Sequence, residues 1–276
     1  MAKGRSSIVV TIFSTTSGIG KTSLATNLAA GLAQEGYSVC LMDLDLQFGD
    51  VCNYLKLPHE KIPTILDAQD ALQKDPENFD IRKFLTEYEG HGVSFSVLPP
   101  PYKIEESYRI EEKDVLSLLN TMDYFKFIVV DTKADFSELN MHVMDVSTII
   151  NFLCVADFVP AIKNLKSGYD AILRFGYDTN KVRLILNRSN SQTLIDPNDV
   201  ETILGRPFYY KICNDFRSMN ESIQSGCPLI LSNSDSRLRK DIWNLVGLYT
   251  NRPPEDSKSS SKSGFMNWMK DLFKAG

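Results

Sequence analysis

Ile8-Val9-Val10-Thr11-Ile12-Phe13 runs directly into Ser14-Thr15-Thr16-Ser17-Gly18-Ile19-Gly20-Lys21-Thr22, and a helical pattern follows. A buried strand that empties into glycines and then Lys-Thr is the layout of a phosphate-binding loop. Gly18 and Gly20 carry no Cβ, so backbone N–H groups can turn inward around a polyphosphate. The expected phosphate contacts are therefore Ser17, Gly18, Ile19, Gly20, Lys21, Thr22 and Ser23. In this reading Lys21 neutralises the β/γ-phosphates, the Thr22 hydroxyl takes one position on Mg²⁺, and the helix adds its positive dipole end. The full loop pattern opens with a further glycine, and here that position is Thr15. The bland alternative is a glycine turn ending in a surface lysine.

Outward from the loop, Leu24, Leu28 and Leu32 mark one face of a helix that Gly36 ends. The next strand, 38–44, runs into Asp43-Leu44-Asp45. A parallel strand ending in two carboxylates brings them to the carboxyl edge of the sheet, where ligands bind in doubly wound folds. One reading gives Asp43 a water-mediated hold on Mg²⁺ and Asp45 the task of orienting an attacking water. The other makes both simple turn acids. Residues 125–132 form a further apolar strand that ends at Asp131-Thr132, and Asp131 is the expected second-shell contact to the same Mg²⁺.

Strands are also expected at 93–98, 148–155, 182–186 and 208–212, with short helices and polar turns between 47 and 78 and a helix around Val115 to Leu119. Pro160 opens one helix and Asp196-Pro197 caps another. Strand 182–186 ends in Asn187-Arg188, whose amide and guanidinium are placed to meet an adenine edge and face. Alternation of strands and helices predicts an α/β fold, a single doubly wound, mostly parallel sheet with helices on both faces, over residues 1–250.

The totals narrow the function classes. The 276 residues are 43% hydrophobic, enough for a sizeable core. Net charge is −5, and residues 251–276 hold five Lys/Arg against three Asp/Glu, so the preceding body carries −7. Such a body is a poor surface for phosphate backbones, which argues against nucleic acid as a partner. Five scattered cysteines without Cys-x-x-Cys spacing read as reduced, mostly buried thiols, and three distant histidines argue against zinc. No apolar run reaches spanning length and no signal-peptide core is present, which predicts a cytoplasmic protein.

Residues 251–263 read as a flexible tether, Asn-Arg-Pro-Pro-Glu-Asp-Ser-Lys-Ser-Ser-Ser-Lys-Ser. Beyond it, in 264–276, Phe265, Met266, Trp268, Met269, Leu272 and Phe273 share one helical face opposite Lys270 and Lys274. Three roles compete for this amphipathic helix: lying in a membrane interface, docking in a partner's groove, or packing on its own domain. The tether argues against the last, and the membrane interface is the preferred reading. Two lysines opposed by Asp271 give little electrostatic help, so binding gains from two tails acting together.

The loop, Asp43-x-Asp45, Asp131-Thr132 and Asn187-Arg188 resemble the MinD/ParA group of deviant phosphate-loop ATPases. Within it, Leu44-Asp45-Leu46-Gln47-Phe48-Gly49-Asp50-Val51, Val159-Pro160-Ala161-Ile162-Lys163-Asn164 and Asn214-Asp215 with Gly226-Cys227-Pro228 are most similar to the pilus-assembly branch called CpaE or TadZ. The resemblance implies ATP/ADP and Mg²⁺ as ligands and a nucleotide-sandwich homodimer. It also implies a place at the inner face of the membrane or a cell pole, and the type IV (Flp/Tad) pilus secretion machinery as partner. The family's signature lysine, which reaches the partner's phosphates, is replaced by Thr16, and the neighbouring glycine by Ser17. A hydroxyl cannot supply that charge, so weak hydrolysis at most is expected. Lys133, which follows Asp131-Thr132, either replaces the missing charge or is a solvated loop lysine.

Overall fold

A computed structural model describes residues 7–191, 193 and 195–254; the amphipathic stretch 264–276 and most of the tether lie outside the described residues. In chain order the elements are β1 (Ile8–Phe13), α1 (Lys21–Gln34), β2 (Val39–Leu44), α2 (Val51–Leu55), α3 (Ile65–Lys74), β3 (Thr86–Gly90), β4 (Val93–Leu98), α4 (Ile104–Ser107) and α5 (Glu112–Asn120). They continue with β5 (Phe127–Thr132), α6 (Glu138–Val146), β6 (Ile149–Cys154), α7 (Val159–Arg174), β7 (Val182–Leu186), α8 (Pro197–Leu204), β8 (Tyr210–Lys211), α9 (Phe216–Ser225) and α10 (Arg237–Thr250).

The eight strands form one sheet in the order β3-β4-β2-β5-β1-β6-β7-β8. Every pairing is parallel except β3 with β4. Consecutive residues of a strand serve opposite faces. Val10 and Ile12 therefore pack with Leu24, Leu28 and Leu245 under α1 and α10. Val9, Met42 and Val130 pack with Val115 and Leu118 of α5 on the other side. A third cluster joins Phe13, Ile150 and Phe152 to Leu165 and Tyr169 of α7. Burial on both faces is why these strands read as unbroken apolar runs.

Helix α1 is buried from Leu24 to Leu32 because α10 covers the side turned away from the sheet. A Cβ at Gly31 would lie 2.6 Å from Ile230 Cδ1 and from Val246 Cγ2, so that glycine sets how closely the cover approaches. Asn27, inside this helix, is satisfied there: its Oδ1 accepts the Ile230 amide at 2.9 Å and its Nδ2 donates to the Ser23 carbonyl at 2.8 Å.

Two expectations are corrected. Strand 208–212 shrinks to Tyr210–Lys211, because Phe208 turns into the cluster under α7 and α8. The sheet also gains β3, an antiparallel edge strand joined to β4 through His91 and Gly92, both at positive φ (54° and 75°). Its sequence, Thr-Glu-Tyr-Glu-Gly, hides the strand behind exposed glutamates on an unshared edge.

The chain leaves β1 toward β2 on one side, while β6, β7 and β8 continue to the other. Strand order thus reverses at β1, and the crevice outside its carboxyl end is where a doubly wound sheet holds ligand. Residues 14–20 occupy that position.

Candidate functional site

The loop leaves the buried β1 at Phe13 and is folded back by Ser14, whose Oγ donates to the Thr16 carbonyl at 2.8 Å. Gly18 and Gly20 adopt φ of +71° and +98°, a region that L side chains rarely enter. Gly20 caps α1 without a side-chain acceptor, and the first turn of α1 holds no acidic residue. Its leading N–H groups therefore keep free valence toward an anion. Gly18, Gly20, Lys21, Thr22 and Ser23 all border a cavity of about 670 Å³, together with Ser17. Ile19, also expected to touch phosphate, is buried by its side chain in the core and offers only its backbone.

Across the cavity floor, Thr22 Oγ1 donates to Asp131 Oδ2 at 2.6 Å. Burial pushes the Asp131 carboxyl up to about 7, against the opposing pull of the Thr22 hydrogen bond and the Lys21 charge. Its Oδ1 is enclosed without a donor, and so is Asp45 Oδ1 on the cavity wall. Two buried, unpartnered carboxylate oxygens near the Thr22 hydroxyl are hard donors of the kind Mg²⁺ takes. Among the described residues no three His, Cys, Asp or Glu side chains converge as a ready metal site. An ion here would be completed by phosphate oxygens and water, with Thr22 as the protein ligand and Asp131 behind it. When bound, Mg²⁺ would neutralise phosphate charge.

Asp43 is held by two backbone amides. Its Oδ1 accepts the Asp45 amide at 3.0 Å and its Oδ2 accepts the Val51 amide at 3.2 Å. It is fully buried, and burial first, then the neighbouring Asp131, raises its carboxyl well above the usual range. A Cβ at Gly49 would stand 2.5 Å from Asp43 Oδ2, so the chain wraps closely round this carboxylate. Asp43 thus fastens the loop that presents Asp45.

Asn187 and Arg188 also engage backbone groups. Asn187 Nδ2 donates to the Ile19 carbonyl at 2.8 Å, and Arg188 Nη2 donates to the Gly18 carbonyl at 2.8 Å. Both border the cavity, and these donors grip the phosphate loop. Lys133 is half exposed and pairs with Asp135 at 3.5 Å, the bland alternative of its two readings. Thr16 is half-buried in the loop.

Several cavity residues carried no sequence signal. Tyr54 of α2 borders the cavity, Asp157 supports Arg188 at 3.4 Å, and Phe216 stands 77% exposed at the mouth. Only the Asn214-Asp215 phrase marked this last region; Asp215 caps α9 by accepting the Ser218 amide at 3.0 Å.

Residues 10–228 match the family described as the CobQ/CobB/MinD/ParA nucleotide binding domain. The chain belongs to this family. The septum site-determining protein MinD of Thermotoga maritima is 22% identical over 273 residues, covering 96% of this chain and 97% of its own. Among solved structures, a ParA family ATPase from Chlorobium tepidum aligns with a TM-score of 0.78 at 22% identity, over 87% of this chain and 98% of that one. MinD complexed with Mg-ADP from Pyrococcus horikoshii aligns with a TM-score of 0.73 at 18% identity, over 88% and 96%. At such identities the structural likeness establishes the MinD/ParA-type fold. Membership rests on the family match, and with it comes nucleotide binding as the family's common property. Among the described residues no helix is long and apolar enough to cross a membrane.

Proposed function

We propose that this chain binds ATP or ADP with Mg²⁺ and acts as a nucleotide-controlled positioning protein for a type IV (Flp/Tad) pilus system. In this reading it works as a homodimer, peripheral on the inner face of the cell membrane, with weak ATPase activity at most. The observation that carries the nucleotide part is the pairing of an inward-turning glycine loop with the Thr22–Asp131 hydrogen bond and two orphan carboxylate oxygens beside it. Weak turnover follows from Thr16, which offers a hydroxyl where the MinD/ParA pattern has its signature lysine. The pilus assignment rests on the phrases shared with the CpaE/TadZ branch. Membrane attachment rests on the amphipathic pattern of 264–276, with dimerisation doubling the number of tails.

A second reading is a MinD/ParA-like cycling ATPase of spatial regulation. Asp45 favours it, since it borders the cavity and its Oδ1 has no hydrogen-bond donor. Phosphate release from Mg-ATP in the presence of anionic liposomes, with Lys21→Ala as the blank, separates the two. Release at the blank's rate with retained ATP binding supports the positioning scaffold; turnover well above it supports the cycle. Equal liposome sedimentation with and without ATP, or after removal of 264–276, would count against the membrane mechanism.

A further inference from the structure

Arg183 is a charge inside an otherwise apolar strand, Val182-Arg183-Leu184-Ile185-Leu186, and it does not border the nucleotide cavity. In the sheet it stands beside Asn151 of β6, so the two side chains serve one face. That face is the one under α10, because Tyr249 of α10 donates its hydroxyl to Asn151 Oδ1 at 2.7 Å. Arg183 Cζ lies 4.6 Å from the centre of the Tyr209 ring and 4.8 Å from that of Tyr249. The rings hold the guanidinium in place and leave its charge without a counter-ion. Arg183 Nη1 and Asn151 Nδ2 are both enclosed with no acceptor. Among the described residues no carboxylate forms an ion pair with Arg183. Unmet donors and an unpaired charge away from bulk water are costly, and an anion would offset both.

Arg183 borders a cavity of about 440 Å³ at the amino-terminal edge of the sheet, the edge opposite the nucleotide crevice. Ile8, Phe127 and Leu248 give this cavity an apolar wall. Its polar side holds Thr148, whose Oγ1 accepts the Val9 amide at 3.3 Å and keeps its own proton to donate. It also holds Lys181, fixed by donating to the Met144 and Asp145 carbonyls at 2.8 and 3.2 Å. Asp178 is the lining carboxylate, and its Oδ1 accepts the Asn180 amide at 2.9 Å. Two cations thus face one anion. We infer that the cavity is a second anion site, which takes a phosphate ester with its phosphate against Arg183 and its carbon portion along Ile8 and Leu248. The planar guanidinium suits phosphate oxygens, and the space exceeds what a lone ion fills. Asn251, where the tether begins, borders the cavity too, so a phosphate at a membrane surface and a soluble phosphate ester are the two sources. The site shares no lining residue with the nucleotide cavity and stands whether or not nucleotide binds there.

Thermal unfolding of the full chain tests it, with Lys21→Ala throughout to silence the phosphate loop. The probes are glycerol 3-phosphate and dihexanoyl phosphatidic acid, a short-chain lipid that carries the same ester. Phosphate salts stabilise proteins in general through exclusion from their surface, so the reading is a difference between two chains. The second chain adds Arg183→Met, which keeps an unbranched side chain against the two rings and removes every donor. Each probe should raise the unfolding midpoint of the first chain in a saturable way, and its apparent affinity should be about tenfold or more weaker in the second. Arg183→Lys keeps the charge without the fork and should fall between them. Tighter binding of the lipid than of glycerol 3-phosphate, lost with Arg183→Met, supports the site and names a membrane headgroup as its source. Equal affinities, lost in the same way, support it with a soluble ester. No saturable rise in the first chain overturns the site, and so do matching curves in the first and second. If Arg183→Met has no cooperative transition, Arg183→Lys decides, and an affinity unchanged by it overturns the site.

Discussion

Thr22 and Asp131 meet at 2.6 Å between the start of α1 and the end of β5, joining the phosphate loop to the neighbouring strand through one hydroxyl and one carboxylate. The carboxylate is 1% exposed, and its second oxygen has no donor. Such an arrangement is costly in the free protein and useful once a cation is present.

Asp131→Asn should therefore raise the stability of the ligand-free protein, by on the order of 1 kcal/mol at pH 8, while weakening Mg-dependent ATP binding. The pH dependence fixes the sign. Asp131 titrates near 7 when folded, above the unfolded carboxyl value of about 3.9. Its contribution is fully present below that unfolded value and is lost as pH rises through about 7. Thermal unfolding from pH 4 to 8 should show the parent losing stability across this window and the variant losing less.

Gly168 of α7 lies against the loop, where a Cβ would come 2.3 Å from Thr15 Cγ2 and 3.2 Å from Phe152 Cζ. Gly168→Ala gains about 1 kcal/mol of helix propensity but meets a filled space. The collision should win, lowering stability by about 1–3 kcal/mol. Thr15→Gly in the same chain should recover most of that loss, a coupling that a double-mutant cycle by thermal unfolding would measure.

Gly49→Ala should act at a distance from Gly49 itself. The added methyl drives against Asp43, whose oxygens hold the Asp45 and Val51 amides. Amide exchange across 45–51 should quicken, and stability should fall by about 1–2 kcal/mol. Unchanged exchange would mean that Asp43 does not fasten this loop.

Lys133→Ala should leave nucleotide affinity and phosphate release within about twofold, and stability within about 0.5 kcal/mol, because its exposed pair with Asp135 is screened by water. A tenfold fall in phosphate release would instead assign Lys133 the charge that Thr16 lacks.

Thr16→Lys should raise phosphate release over the parent by on the order of tenfold or more, since a fixed cation then meets the charge that develops in transfer. The Ser14 contact uses the Thr16 carbonyl and survives the change. No gain would show that the missing lysine is not what limits turnover.

The sequence by itself determined β1, the loop and α1, because each is written in local terms: a short apolar run, glycines where φ must be positive, and leucines at helical spacing. It determined the mostly parallel sheet as well, since strands buried on both faces cannot disguise their composition. Tertiary structure decided what single residues face. By period, Asp43 and Asp45 belong to the same side of a strand, but β2 ends at Leu44 and the Asp45 amide folds back onto Asp43. One carboxylate is thereby buried as a fastener while the other reaches the cavity. Asn187 and Arg188 end a strand at the ligand edge; that they also hold the Gly18 and Ile19 carbonyls, some 170 residues away in the chain, is visible only in the fold. The Thr15 methyl against Gly168 and the cover of α10 over α1 are of the same kind. Such contacts depend on distances between segments that folding alone brings together, and no local pattern of residue types encodes them.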